Sequence, residues 1–175
     1  MYWHTGDEHY NHFSIIDHTH RPFWRWQDMN ETIITKHNSR VHSGDTVFHH
    51  GDFKLGANGP NVEALISQLN GRHVFLWGNH DRNNGLNTPM KYAVIKTYGL
   101  TILLTHLPDE ALMFMDGNSG IDMAWVGHVH HNWKFKQNMV NVGVDVWDFY
   151  PVDAKQILKA YRNWEMGRDE KWRKE

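Results

Sequence analysis

Short apolar runs rich in β-branched and aromatic residues recur along the chain and are separated by polar turns. Runs of this kind, four to eight residues long, are typical of buried β-strands. The ranges with this pattern are 2–5, 46–48, 73–77, 92–97, 100–105, 123–126 and 139–144. The second half of the chain is therefore predicted to be dominated by strands.

Apolar residues at helical spacing mark three further segments. Asp28 with Glu31 has the spacing of a capping box, which predicts a helix from Asp28 to about residue 41. Residues 61–69 form an amphipathic pattern that ends at an Asn-Gly pair. Asp153 with Gln156 makes a second capping box, and it predicts a last helix that extends to about residue 164.

The order of these elements predicts the fold class. Helices lie early and at the end of the chain with strands between them, which favours helices packed outside stacked sheets in an α/β layered fold. No repeat or low-complexity linker divides the 175 residues, so we expect a single domain over 1–175. The mixed-charge tail from about 162 to 175 is expected to be helical or flexible.

Composition narrows the chemistry. The chain has no cysteine, so a metal would be held by nitrogen and oxygen ligands, and it has 15 histidines. The formal net charge of -2 gives no basic field, which disfavours extended duplex nucleic acid as a partner. Polar residues interrupt the first ten positions and the longest apolar runs fall far short of roughly 18 residues. We therefore expect a cytoplasmic protein without a membrane span.

Polar, metal-capable residues follow most of the predicted strands. The clusters are Asp7-Glu8-His9, Gly51-Asp52, Gly78-Asn79-His80-Asp81, Thr105-His106 and Gly127-His128-Val129-His130. In α/β sheets ligands bind beyond the carboxyl ends of the strands, because the loops there converge on one crevice. Residues at i and i+2 on extended chain project to the same side, which pairs Asp7 with His9 and His128 with His130. Five separate segments are thus predicted to form one site.

The donor atoms in these clusters suit two neighbouring divalent ions. Two carboxylates, one amide oxygen and four imidazoles are more ligands than one ion can use, and a shared carboxylate could join two. The mixture of nitrogen and oxygen ligands disfavours calcium and magnesium, which prefer oxygen ligands. Manganese is the first expectation, and iron, nickel and zinc are the alternatives. A further Gly-Asp pair, Gly44-Asp45, is interpreted as an ordinary turn.

The ordered set of motifs resembles the calcineurin-like metallophosphoesterase superfamily, whose pattern is Asp-x-His, Gly-Asp, Gly-Asn-His-Asp/Glu, a lone His and Gly-His-x-His. Further blocks are similar to the small bacterial and bacteriophage phosphoesterases of that group. They are Asp7-x-His9-x-x-His12, Arg21-Pro22-Phe23, Val47 to Phe53, Asn70-Gly71-Arg72 and Asn141 to Trp147. The likeness extends from Trp3 to about Ile157.

This resemblance implies a four-layer αββα sandwich, with two stacked mixed β-sheets flanked by helices, and a dinuclear metal centre. It implies that one metal is held by Asp7, His9 and His130. Asp52 would bridge to a second metal, whose other ligands would be Asn79, His106 and His128. His80 would face the substrate without binding metal.

Substrate and proton chemistry is assigned to nearby residues. His80 is expected to act as the general acid that protonates the leaving group, with Asp81 orienting its ring. Arg21 and Arg82 are candidates to hold phosphate oxygens in bidentate fashion. His12 and His49 fit the subgroup's motifs, either as contacts to phosphate or to a ligand, or as structural hydrogen-bonding residues. The segment from 107 to 126 carries no motif that can be placed.

The leading functional expectation is a metal-dependent hydrolase of small phosphodiesters or monoesters, including nucleotides. The alternatives are a nuclease acting on single strands or ends, a catalytically silent binding scaffold of the same fold, and a histidine-rich metal-storage protein. The complete motif set argues against the scaffold, and the dispersed histidines argue against storage. A homodimer is also open.

Overall fold

The computed structural model describes residues 1–82, 84–86, 88–117 and 120–172. The strands are β1 (Tyr2–Thr5), β2 (Thr46–His49), β3 (Arg72–Phe75), β4 (Tyr92–Thr97), β5 (Leu100–Thr105), β6 (Met123–Val126), β7 (Phe135–Lys136), β8 (Met139–Asn141) and β9 (Val152–Asp153). The helices are α1 (Phe13–His18), α2 (Trp26–Arg40), α3 (Val62–Ile66), α4 (Pro108–Gly117) and α5 (Ala154–Glu165). All seven predicted strand segments are present.

The strands form two mixed sheets. The first has the order β3-β2-β1-β9, in which β3, β2 and β1 are parallel and β9 is antiparallel to β1. The second has the order β4-β5-β6-β8-β7, with β5, β6 and β8 parallel and an antiparallel strand at each edge. Parallel neighbours place their carboxyl ends at one edge of each sheet, where the polar clusters follow.

Buried apolar clusters show how the layers pack. Residues of both sheets meet in a central cluster that includes Leu104, Trp125 and Val152, and α5 contributes Ile157 to it. A second cluster joins α1, α2 and α3, and a third joins α4 to β5, β6 and β8. Helices therefore cover the outer sides of two stacked sheets, and the predicted α/β sandwich is confirmed.

Several element boundaries differ from the sequence prediction. The capping box of α5 is confirmed, since Asp153 and Gln156 each accept from the other's backbone N–H. Asp28 is not the N-cap of α2, which begins at Trp26; its carboxylate instead binds the Arg25 guanidinium. A carboxylate in the first helical turn suits the helix dipole without capping.

Other differences have local causes. Strand β8 ends at Asn141 rather than 144, because the Asn141 side chain binds the Gly143 N–H and turns the chain toward a 3-10 turn at Val144–Val146. Helix α3 ends at Ile66 and is shorter than the predicted 61–69. Helix α4 fills the start of the unassigned 107–126 segment, whose Asn118 and Ser119 lie outside the described residues, as do residues 173–175 of the tail. No helix in the described part of the chain is long and apolar enough to cross a membrane.

Candidate metal centre

The polar loops that follow the strands are joined by backbone hydrogen bonds. Asp7 N–H donates to the Gly51 carbonyl at 3.0 Å, and Gly127 N–H donates to the His106 carbonyl at 3.1 Å. Val144 N–H donates to the Gly6 carbonyl at 3.0 Å, which ties the 3-10 turn to the first loop. These bonds bring loops of both sheets to one place, as the sequence predicts.

Two groups of metal-capable side chains lie at this place. Asp7, His9 and His130 form one group, and Asp52, His106 and His128 form the other. Within each group the donor atoms all lie within 4.8 Å of one another. Asn79 belongs beside the second group, since its Oδ1 lies 2.9 Å from both His106 Nε2 and His128 Nδ1. All seven residues predicted as metal ligands are therefore brought together.

Asp52 connects the two groups. Its Oδ2 atom lies 3.5 Å from His9 Nε2 and 3.4 Å from His106 Nε2. Asp52 Oδ2 and His9 Nε2 are buried and have no hydrogen-bond partner among the described residues. A buried polar atom without a partner costs free energy, so atoms left in this way point to a missing ligand. The donor set thus fits divalent metal ions, and Asp52 Oδ2 lies close to donor atoms of both groups.

Hydrogen bonds at Nδ1 fix the orientation of the His106 and His130 rings. His106 Nδ1 donates to the His50 carbonyl at 2.8 Å, and His130 Nδ1 lies 3.0 Å from Asp145 Oδ2. A proton on Nδ1 leaves the lone pair of Nε2 for a metal, which is the arrangement that metal-binding histidines usually have. Asp145 is a site residue that sequence reasoning missed, although it lies in the Asn141 to Trp147 block.

The backbone at the site adopts conformations that cost energy elsewhere. Asp7, His9, Asp52, His128 and His130 all have φ between 48° and 72°. Left-handed φ is uncommon for residues with a side chain, and such residues cluster at functional sites where the surroundings hold them in place. Gly51 precedes Asp52 with φ 87°, and a Cβ there would lie 2.6 Å from His106 Nδ1. Only glycine fits this close approach.

Burial and charge act on the pKa values of the site in opposite directions. Burial alone would raise the pKa of Asp52, but the His106 and His9 rings outweigh it and lower the pKa well below its usual range. Burial would lower the pKa of His106, yet Asp52 and Asp7 raise it to about 9. Burial lowers the pKa of His9 to about 3. The carboxylates therefore favour positive charge at the site, as they would favour a cation.

His80 and Asp81 occupy different positions. The His80 side chain is exposed, its ring centroid lies 5.6 Å from that of His9, and its backbone N–H donates to Asp52 Oδ1 at 2.9 Å. The Asp81 carboxylate is buried and accepts from the backbone N–H groups of Asp52 and Gly78, both at 2.8 Å. Asp81 therefore fixes the loops that carry Asp52 and Asn79. The prediction that it orients the His80 ring is wrong.

The structure also contradicts the phosphate contact predicted for Arg21. Its guanidinium is buried beneath the loops and forms a bidentate pair with Asp145, with N···O distances of 2.8 and 2.9 Å. It also donates to the carbonyls of Asp7 and Glu8 and to the Met29 sulfur. These bonds engage all five N–H groups, so none is left for a phosphate.

The remaining predicted contacts divide by burial. His49 is buried, and its Nδ1 lies 2.7 Å from Glu8 Oε1, which supports the structural alternative for this residue over a phosphate contact. His12 is half-buried, and its Nδ1 lies 3.3 Å from His9 Nδ1. The Arg82 side chain is exposed close to His80 in sequence, and its contact to substrate stays a prediction.

The chain is similar to known proteins over most of its length. No protein-family model matches the chain. The uncharacterized protein MJ1445 of Methanocaldococcus jannaschii is 34% identical over 165 residues, which cover 88% of this chain and 87% of that protein. Two stacked sheets with metal-capable loops at one edge form an α/β sandwich. The chain belongs to the family of MJ1445.

A solved structure shows the same architecture. The protein of unknown function AQ665 from Aquifex aeolicus superposes with a TM-score of 0.75 at 24% identity, covering 91% of this chain and 98% of that one. That likeness shows a shared fold. An archaeal phosphodiesterase matches with a TM-score of 0.45 at 17% identity, over 81% of each chain.

Proposed function

We propose that this protein hydrolyses phosphate esters with the help of two divalent metal ions. The observation that carries the proposal is the position of Asp52, whose unpartnered Oδ2 atom lies between His9 Nε2 and His106 Nε2. A carboxylate that lies between two groups of ligands suits a two-metal centre, because its negative charge reduces the repulsion between two cations. Small phosphodiesters are the proposed substrates, because the net charge of -2 provides no excess of basic residues for a dianionic monoester.

The proposed ligands are those that the structure gathers. Asp7, His9 and His130 would hold one ion, and Asn79, His106 and His128 would hold the other, with Asp52 shared. Manganese is the first choice, with iron, nickel or zinc as alternatives. When bound, the two ions would lower the pKa of water and polarise the phosphoryl group.

His80 is the proposed proton donor to the leaving oxygen. Its backbone N–H donates to Asp52 Oδ1, while its side chain is exposed and its ring lies beside that of His9. A histidine so placed can reach a substrate without taking a ligand position. Asp81 supports this role indirectly, since it holds the loop from Gly78 to Asp81 against Asp52.

The decisive experiment measures metal content and turnover together. Metal-stripped protein is resupplied with manganese, iron, nickel or zinc and assayed on a panel of phosphodiesters and monoesters. We expect two metal equivalents per chain. We expect Asp52→Ala to lose both metal and turnover, because no shared carboxylate then reduces the repulsion between the two cations. Asp116→Ala, an exposed aspartate on α4, is the control. Two equivalents and full turnover in Asp52→Ala would refute the proposal.

A further inference from the structure

A cavity of about 330 Å³ lies beside the candidate metal centre. His128 forms part of its wall, so the cavity borders the second group of proposed ligands. The other walls are mainly apolar and are formed by Leu107, Pro108, Leu112, Val129, Trp133 and Met139. Asp109 and Lys136 are exposed and supply its charged groups.

Several residues that line the cavity are adjacent in sequence to the proposed metal ligands. Leu107 and Pro108 directly follow His106, and Pro108 starts helix α4. Leu112 is four residues after Pro108, so both lie on the same face of that helix. On the opposite wall, Val129 lies between His128 and His130. A group that enters the cavity is therefore within reach of a phosphoryl group held at the centre.

The size of the cavity and the chemistry of its walls indicate which kind of chemical group it can bind. Ligand pockets commonly measure about 300–1,000 Å³, so 330 Å³ suits one ring system rather than a large ligand. The half-buried Leu112 offers apolar surface, and the half-buried Trp133 offers an indole ring. Indole rings favour aromatic partners by stacked or edge-to-face packing.

We propose that this cavity binds a single aromatic ring, such as a phenyl group, carried as one ester group of the substrate. The proposal rests on the proposed function, since the phosphoryl group must be held at the metal centre for its substituent to reach the cavity. It also gives a function to the 107–126 segment, because helix α4 supplies one wall. Substrate selection is then set by Leu112 and Trp133.

A chemical test uses the absence of cysteine from the chain. Leu112→Cys places one thiol in the cavity wall, and Met113→Cys places one on the neighbouring residue, which is 75% exposed and outside the cavity. With manganese present, we expect phenylphosphonate to slow alkylation of Cys at 112 at least about fivefold and to leave Cys at 113 unchanged. Methylphosphonate should slow neither. Equal rates at 112 with and without phenylphosphonate would overturn the proposal.

A binding test measures the preference directly by calorimetry. The manganese-loaded protein should bind phenylphosphonate about tenfold more tightly than methylphosphonate, a ratio within reach of an apolar pocket. Trp133→Ala should lose most of that preference, whereas Trp24→Ala, which changes a 92% exposed tryptophan, should keep it. Equal affinities in the unchanged protein would overturn the cavity proposal alone. Binding of neither phosphonate would also overturn the cavity proposal, and the proposed function is tested separately by metal content and turnover of phosphodiesters.

Discussion

Burial separates two of the residues that the sequence assigned to the substrate, Arg21 and His80. The Arg21 side chain is 0% exposed and is paired with Asp145, which is 3% exposed. His80, in contrast, has an exposed side chain close to His9. A charged group that is fully buried and paired contributes to folding, whereas an exposed side chain next to a site can reach a ligand. Single substitutions should therefore have different effects at these two positions.

Replacing His80 should affect turnover and leave metal content unchanged. We expect His80→Ala to keep two metal equivalents and to lose about 10²–10⁴-fold in kcat on a diester with an alkoxide leaving group, which needs a proton. The loss should be smaller with a nitrophenolate leaving group, which departs without one. His42→Ala, at a side chain that is 86% exposed, is the control. Equal losses on both substrates would rule out the general-acid role.

Removing Arg21 should affect stability. Arg21→Ala removes the bidentate cation from the buried Asp145 carboxylate and leaves the His130 ring beside it. Breaking a buried ion pair in this way typically costs about 3–5 kcal/mol in the free energy of unfolding. Urea unfolding of the metal-free protein measures the change. Arg25→Ala serves as a matched control, because Arg25 and Asp28 form an exposed pair, and exposed pairs contribute little. If the two variants were equally stable, the structural role of Arg21 would be wrong.

At the scale of elements, a buried histidine cluster joins helix α2 to strands β2 and β3. His37 lies on α2, His49 on β2 and His73 on β3, with ring centroids 5.2 to 6.4 Å apart. Burial lowers the pKa of His37 to about 4 and that of His49 to about 3. These rings are therefore neutral in the folded protein at pH 6 and would be partly protonated in the unfolded chain.

This cluster predicts a pH dependence of stability. Below pH 6.5 the unfolded chain binds more protons at His37 than the folded protein does. The contribution of His37 to the free energy of unfolding therefore decreases as the pH is lowered, by up to about 1.4 kcal/mol per pH unit, until about pH 4. Glu8, whose pKa burial raises to about 8, acts in the opposite direction. The difference between the unchanged protein and His37→Gln therefore isolates His37.

Urea unfolding at pH 7, 6 and 5 provides the measurement for both proteins. The glutamine amide can still donate to the Asn70 carbonyl, which His37 Nε2 approaches to 2.9 Å, so folding should be retained. We expect the stability advantage of the unchanged protein over His37→Gln to shrink as pH falls. A constant difference between pH 7 and pH 5 would contradict the lowered pKa of His37.

At the scale of the whole molecule, the candidate centre connects the two sheets. Asp7 and Asp52 follow strands of the first sheet, and His106 and His128 follow strands of the second. An ion that binds residues from both sheets binds the folded chain only, because these residues are far apart in the unfolded chain. Metal binding should therefore stabilise the sandwich as a unit.

Thermal unfolding with and without metal measures this effect. At a free manganese concentration about 100 times Kd, binding adds about 2.7 kcal/mol, and at this chain length each kcal/mol raises Tm by roughly 2–4 °C. We expect Tm to rise on the order of 5–10 °C and to fall again with EDTA. Asp52→Ala should show a much smaller rise. The same rise in both proteins would contradict a centre that includes Asp52.

The sequence by itself determined the features that are local in the chain. The seven predicted strands are short apolar runs, and the polar clusters directly follow several of them in sequence, so these strands and the positions of Asp7, Asp52 and His106 are readable without a structure. The cap of α5 is equally local, because Asp153 and Gln156 are three residues apart. Parallel strands then bring their carboxyl ends together, which predicts one shared site.

Only the tertiary structure decided the features that depend on distant partners. Arg21 pairs with Asp145, 124 residues away, and His49 contacts Glu8, 41 residues away, so neither burial can be read from the local pattern. Asp81 binds backbone N–H groups of another loop, and backbone groups carry no residue-type signal. The cavity walls likewise come from segments that follow different strands. The local sequence does not show which distant residue will become the hydrogen-bond or ion-pair partner of a polar side chain. Packing of the folded chain brings particular partners together, and their hydrogen bonds then fix the position of each buried polar side chain.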